Sequence, residues 1–342
     1  MNATRPMAFI TEPGKIEFRD VRVPGLGPED VLIAVKAAAI CGSDLHIFKG
    51  KHPAVDLPVP VGHEVAGLVT QVGAQVTRLE PGDRVTVEPV IACGECFFCK
   101  RGEYHLCSEI SFQYRQGQGA LTTHFVADQQ WVHRLPEGLP YAHGALLEPL
   151  SVAVHAVEKA NLGLADSVAI FGAGAVGLLL LQLAQAAGAG EVFVVDIQPH
   201  RLEAATSLGA QALDNSSGDV VCEIYARTEG LGVERSFEAV GLASTLNQTL
   251  SVLRKGGQAV LIGLFEESEI CIPANIFVQK EISLSGSQGY CWDFQTAVKL
   301  VTQERVDLGK LITHEFPLAE AQAAFDALMA PEEQAMKVVI KV

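Results

Sequence analysis

Residues 167–196 constrain the fold of this chain more than any other stretch: SVAIF, then GAGAVG, then LLLLQLAQAAG, then EVFVV closing on Asp196. A β-branched run, a glycine turn, an apolar helical run and a second β-branched run make a βαβ unit, in which the crossover helix forces the two strands to be parallel. Gly172, Gly174 and Gly177 fit G-x-G-x-x-G. Their expected roles are a tight turn, close approach of a pyrophosphate, and packing of helix on strand. Amides at the helix N-terminus then offer partial positive charge to phosphates. Asp196 lies 19 residues after Gly177, where a carboxylate can accept from both ribose hydroxyls and would repel a 2'-phosphate, so NAD is expected over NADP. Arg201 could stack on adenine or be an ordinary exposed helix arginine.

The same alternation continues with a helix at RLEAATSLGA, a strand near VERSFEAV, a helix at STLNQTLSVLRKG, the strand QAVLIGL and EISLSGSQ. It implies a parallel sheet covered by helices on both faces, an α/β, doubly wound class. Residues 1–150 differ, with short β-branched runs such as VLIAVKAA, GLVTQVG and DRVTVEPV between Gly and Pro turns, the mark of a mostly β domain. At 342 residues two cores are expected. The closing KVVIKV is expected to return to the first domain. The expected division is therefore 1–150 completed by 289–342, with 151–288 as the nucleotide-binding insertion.

A formal net charge of −15 and no basic stripe argue against a nucleic-acid partner. The N-terminus lacks a charged region followed by a long apolar one, and the run VGLLLLQLAQAAGAG is too short and interrupted to span a bilayer. A cytoplasmic chain without a membrane partner is the expectation, and its eight cysteines should then be thiols or metal ligands.

Four of them fall in CGECFFCKRGEYHLC, at Cys93, Cys96, Cys99 and Cys107. The first two intervals, of three residues each, would also open an iron–sulfur run, but the third, of eight, departs from it. Four thiolates with no open position suit a closed, structural zinc site. Two further clusters, Cys41-Gly-Ser43-Asp44-Leu-His46 and Gly62-His63-Glu64, supply a thiolate, an imidazole and a carboxylate, the ligand types of a zinc site that keeps a fourth position open. Glu148, inside the apolar LLEPLSVAVHA, is a carboxylate that requires a partner.

These motifs, with GHEVAGLVTQVGAQV (62–76) and EPLSVAVHA (148–156), resemble the zinc-dependent medium-chain alcohol dehydrogenases, in the branch of sorbitol, butanediol and threonine dehydrogenases, over essentially the whole length. The resemblance implies a discontinuous GroES-like catalytic domain, a Rossmann domain, and a cleft between them where nicotinamide meets zinc. Carried over, Cys41 and His63 bind a catalytic zinc, with Glu64 and Glu148 competing as third ligand and Asp44 orienting His63. Ser43 takes the alcohol proton, which leaves through the nicotinamide ribose and His46 to solvent. Val176, Ile262 and Leu264 join the glycine turn, Asp196 and Arg201 as NAD contacts. The implied reaction transfers hydride between a secondary alcohol and NAD, giving a ketone.

Sorbitol dehydrogenases carry a tyrosine where Ile47 stands and an arginine where Gly289 precedes Tyr290, so a smaller diol or polyol is expected rather than a hexitol. A threonine 3-dehydrogenase-like activity ranks second. The reading from another class is a nonenzymatic, zinc-stabilised nucleotide-binding protein. The branch implies a homotetramer, with a homodimer as the alternative.

Overall fold

The computed structural model describes residues 4–342. The chain divides into two compact units, one running to Pro149 and resuming at Ile312–Val342, the other comprising Leu150–Leu311.

The first unit opens with β1 (Thr4–Glu12) and β2 (Lys15–Arg22), an antiparallel pair extended by β4 (Val59–Pro60). β3 (Asp30–Ala39) buries Val31, Ile33 and Val35 at alternate positions, the period-2 pattern of a strand with one face in the core. It pairs with β5 (Glu64–Val72), which continues to β6 (Arg84–Val87) and β10 (Val132–Arg134), while β9 (His124–Asp128) also pairs with β3. Between these strands lie α1 (Gly42–Phe48), α3 (Tyr141–Ala145) and a small lobe built from β7 (Val90–Ile91), α2 (Phe97–Lys100) and β8 (Ser111–Phe112).

α4 (Leu147–Lys159) leads into the second unit. There β11 (Val168–Phe171), α5 (Ala175–Ala187), β12 (Val192–Asp196), α6 (Pro199–Ser207), β13 (Gln211–Asp214), α7 (Val220–Arg227), β14 (Val233–Glu238), α8 (Ala243–Ser251), β15 (Leu253–Leu261), α9 (Asn275–Lys280), β16 (Ser283–Gly286) and α10 (Asp293–Thr302) follow in turn. The six strands are all parallel, in the order β13-β12-β11-β14-β15-β16. The order reverses between β11 and β14, the point where doubly wound sheets bind ligands beyond their carboxyl ends. β11 is buried at all four positions, as a strand covered on both faces must be.

Two expectations change here. The helix expected through Gly256 ends at Ser251, because Leu253 already pairs with Val233 and Gly256 adopts φ +74°. Residues 289–311, expected with the first domain, cluster with the second. His155 lies 3.0 Å from Asp293, Gln182 and Asp307 exchange hydrogen bonds, and Arg305 donates to the Ala186 carbonyl at the end of α5.

β17 (Ile312–Pro317), α11 (Ala321–Met329) and β18 (Lys337–Lys341) complete the first unit. β18 pairs with both β17 and β3, so the C-terminal strand sits inside the β3 sheet of the first unit, as the terminal KVVIKV suggested. Among the described residues no helix is long and apolar enough to cross a membrane.

Candidate active site

α1 starts at Gly42 with Cys41 in the N-cap position, and Asp44 Oδ2 reaches back to accept the Cys41 N–H at 2.9 Å. That bond satisfies one orphan amide of the helix and locks CGSD into a single turn. Asp44 Oδ1 lies 3.5 Å from His63 Nδ1. Burial alone would raise the Asp44 pKa, but His63, the Cys41 N–H and the charge of Lys337 hold it below the usual carboxylate value. Burial would likewise lower His63, yet Asp44 and Cys41 hold it well above the ordinary imidazole value.

The strand β5 begins one residue after His63, so Glu64 points into the core while His63 stands at its edge. Ligand atoms of Cys41, His63 and Glu64 all lie within 4.8 Å of one another. Three donors of the N/S/O types zinc accepts, drawn from two elements and converging on one point, fit a zinc ion with a fourth position open. Glu148 does not join this trio at that distance, although it is buried and its charge raises the pKa of Lys337. Lys337 is the site residue that sequence reading missed. Its Nζ, on β18, lies 2.6 Å from the Glu64 carboxylate and donates to the Ile40 carbonyl at 3.0 Å. The side chains of Lys337 and Glu64 are only 3 % and 0 % exposed. Burial works to lower the Lys337 pKa, but Glu64, Cys41 and Glu148 raise it above the ordinary lysine value. A lysine heading the apolar run 338–340 was the available signal.

Ser43 and His46 both lie on α1, three residues apart and half-buried, a spacing that puts them on one helix face. Ile47, at the position where sorbitol dehydrogenases carry a tyrosine, is buried in the core of the first unit, and Tyr290 is buried edge-on against Phe294 at 5.1 Å.

In the lobe, the sulfurs of Cys93, Cys96, Cys99 and Cys107 form a second group within 4.8 Å. The Cys93 and Glu109 N–H groups point at Cys107 Sγ, and the Cys96 N–H points at Cys93 Sγ. Backbone N–H groups of Cys99 and Ser108 pull the Cys96 thiol down to about 6, whereas burial and its fellow thiols push Cys99 up to about 12. Four thiolates so close repel one another unless a cation sits between them, and this donor set fits zinc.

In the second unit, Gly172 has φ +104° and Gly177 has no room for a side chain, since a Cβ there would lie 1.8 Å from the Gly172 carbonyl oxygen. Both glycines are therefore required to bring α5 onto its strand. Asp196 is tied into the same turn: Oδ2 accepts the Ala173 N–H at 2.7 Å, and Oδ1 accepts those of Ile197 and Gln198 at 2.8 and 2.9 Å. Arg201 stands 3.9 Å from Asp196. Arg201 Nε and His200 Nε2, both buried, have no partner among the described residues. Orphaned polar atoms beside a carboxylate at a strand end fit a bound nucleotide. Val176, Ile262 and Leu264 are partly exposed.

Residues 27–137 match the Alcohol dehydrogenase GroES-like domain model, and residues 175–303 match the Zinc-binding dehydrogenase model. The D-arabitol-phosphate dehydrogenase of Enterococcus avium is 36% identical over 96% of this chain and 94% of its own length. The sorbitol dehydrogenase of Bacillus subtilis is 34% identical over 97% and 96%. The chain belongs to the zinc-dependent medium-chain dehydrogenase family. The fold agrees at full length: 2R,3R-butanediol dehydrogenase from Bacillus subtilis superposes with a TM-score of 0.90 at 33% identity, covering 99% of each chain. Within this family the mostly β unit is the GroES-like domain and the six-stranded parallel sheet is its Rossmann-like partner.

Proposed function

We propose that the chain is a zinc-dependent dehydrogenase that transfers hydride between a secondary alcohol, of the diol or polyol class, and NAD, giving a ketone. The observation that carries this reading is the convergence of Cys41, His63 and Glu64 within 4.8 Å, with Asp44 behind His63. A purely structural zinc site would have a fourth protein ligand, as the cysteine lobe has.

Cys41, His63 and Glu64 would hold the catalytic zinc, with Glu148 the alternative third ligand, and the four lobe cysteines a structural one. Bound there, zinc supplies Lewis acidity that makes a carbinol hydroxyl acidic near neutral pH. Asp44 holds the His63 ring so that its other nitrogen faces the ion. Ser43 Oγ takes the hydroxyl proton and His46, on the same face of α1, delivers it to solvent. Gly172, Gly174, Val176 and Gly177 would cradle the dinucleotide. Asp196 would accept from the ribose, Arg201 would lie over the adenine, and Ile262 and Leu264 would contact the remainder. A carboxylate beside the ribose would repel a 2'-phosphate, which favours NAD over NADP. The enzyme is expected in the cytoplasm as a homotetramer, with a homodimer as the alternative that sedimentation would distinguish.

The decisive experiment mixes zinc-loaded protein with NAD and a panel of secondary alcohols, vicinal diols, polyols, polyol phosphates and threonine, following NADH absorbance. Turnover confined to the diol and polyol members supports the reading. No turnover of any member, with both zinc sites filled and NAD bound, would overturn it. Turnover of threonine alone would replace the substrate class.

A further inference from the structure

Three buried acids, Glu88, Glu238 and Asp293, lie outside the proposed mechanism, and of these Glu88 and Asp293 face the histidines His133 and His155. Glu238 is the last residue of β14 and is fully buried. In register it lies between Phe171, which precedes the glycine turn, and Leu261 at the end of β15. It therefore stands beside the reversal of strand order, where a dinucleotide is expected. Among the described residues its side chain pairs with no lysine or arginine. Instead Oε1 accepts the Val240 N–H at 3.1 Å, the Gly241 N–H at 2.9 Å and the Thr245 hydroxyl at 2.6 Å. Burial pushes its pKa up, and the hydrogen bonds from Thr245, Gly241 and Val240 oppose that rise.

These bonds fold residues 239–242 into a tight turn around the carboxylate. The turn leaves Val240 and Leu242 exposed at 39 % and 54 %, and Ile197, directly after Asp196, at 58 %. Val240 also borders the glycine turn, since a Cβ at Gly172 would lie 2.8 Å from its Cγ2. The helix that follows, α8, is tied back toward the acid at the end of β12. Gln248 exchanges side-chain hydrogen bonds with Asn215 at 3.0 and 2.8 Å, and the Asn215 N–H donates to the Asp196 carbonyl at 2.9 Å. Apolar side chains left in water at two strand ends, on backbone anchored to the ribose acid, suit a flat apolar base.

We propose that Glu238 is a positioning residue for the adenosine half of the dinucleotide: its carboxylate holds the 239–242 turn so that Val240 and Leu242, with Ile197, wall the base. This rests on the NAD reading above. It assigns Glu238 no part in the hydride step.

The test uses full-length, zinc-loaded protein and titrates AMP and NADH against wild type, Glu238→Met and Glu238→Gln. Methionine leaves the Val240 and Gly241 N–H groups without an acceptor, while the Thr245 hydroxyl keeps the Leu242 carbonyl at 2.9 Å, and both ligands should bind about tenfold more weakly. KM for NAD should rise by the same factor with kcat within about twofold, the pattern of lost uniform binding. Glutamine keeps an oxygen facing the same three donors and should restore most of the affinity. A merely structural role would lower the melting temperature of Glu238→Met and leave AMP affinity of the folded protein unchanged, which would overturn the proposal. Loss of kcat with intact AMP binding would overturn it too. If Glu238→Met does not fold, Thr245→Val decides: about threefold weaker AMP binding supports the proposal, and unchanged binding refutes it. Wild-type protein that binds neither AMP nor NADH would instead refute the NAD reading itself.

Discussion

Replacing Lys337 with methionine would expose how the metal site is balanced. The side chains are similar in length, so packing is conserved and the change is electrostatic. In the metal-free protein the substitution leaves Glu64, fully buried and 2.6 Å from the lost ammonium, as an uncompensated anion. Removing one partner of a buried pair costs about 3–5 kcal/mol. Across a unit of this size each 1 kcal/mol moves the melting temperature by about 2–4 °C, so a drop of roughly 6–20 °C is expected in calorimetry of chelator-treated protein. Zinc would supply the missing positive charge next to Glu64. The zinc-loaded variant should therefore lose less than about 1.5 kcal/mol, and its zinc affinity should rise relative to wild type. Adding Glu64→Gln to Lys337→Met should recover much of the metal-free loss, since both ends of the pair are then gone. Equal destabilisation with and without zinc would refute this account, as would no loss in the metal-free protein.

Four further outcomes are expected. Cys41→Ala should remove one of two zinc equivalents by metal analysis and lower turnover by about a thousandfold, the scale of several kcal/mol of Lewis-acid stabilisation. Cys93→Ser should remove the other equivalent and lower thermal stability, while activity at low temperature survives, because the lobe takes no part in the reaction. The raised His63 pKa stabilises the metal-free protein fully below about pH 6.5, and that contribution fades as pH rises through the folded value. Asp44, held below its ordinary value, contributes above about pH 3.9 and loses that contribution as pH falls through its folded value. Zinc uptake at pH 7 should therefore displace a proton from His63, seen as a calorimetric enthalpy that changes with the buffer's ionisation enthalpy. Finally, Asp196→Ala strips an acceptor from three backbone N–H groups. It should lower stability by about 1–3 kcal/mol as well as raise KM for NAD, so it should not give a clean switch to NADP.

What the sequence determined by itself is what short-range spacing encodes. The βαβ unit, its glycine turn, the cysteine quartet and the CGSD turn each depend on residues a few positions apart, where strand and helix periods leave little choice. The helix end at Ser251 was less legible, because apolar residues in LSVLRKG suit either state and the pairing of Leu253 with Val233 decides between them. Residues 289–311 joined the second unit through contacts such as Asp307 with Gln182, 125 residues away. The partner of Glu64 depends on longer range still: Lys337 is 273 residues distant and reaches the site only because β18 pairs with β3, Ile340 opposite Ala38. Glu238 was invisible for the same reason, since a glutamate ending an apolar strand reads as solvent-facing until the turn that wraps it is seen. Tertiary structure decided how each buried charge is compensated, because a charge out of water is tolerable only with a partner, and chain topology alone determines which distant residue that partner is.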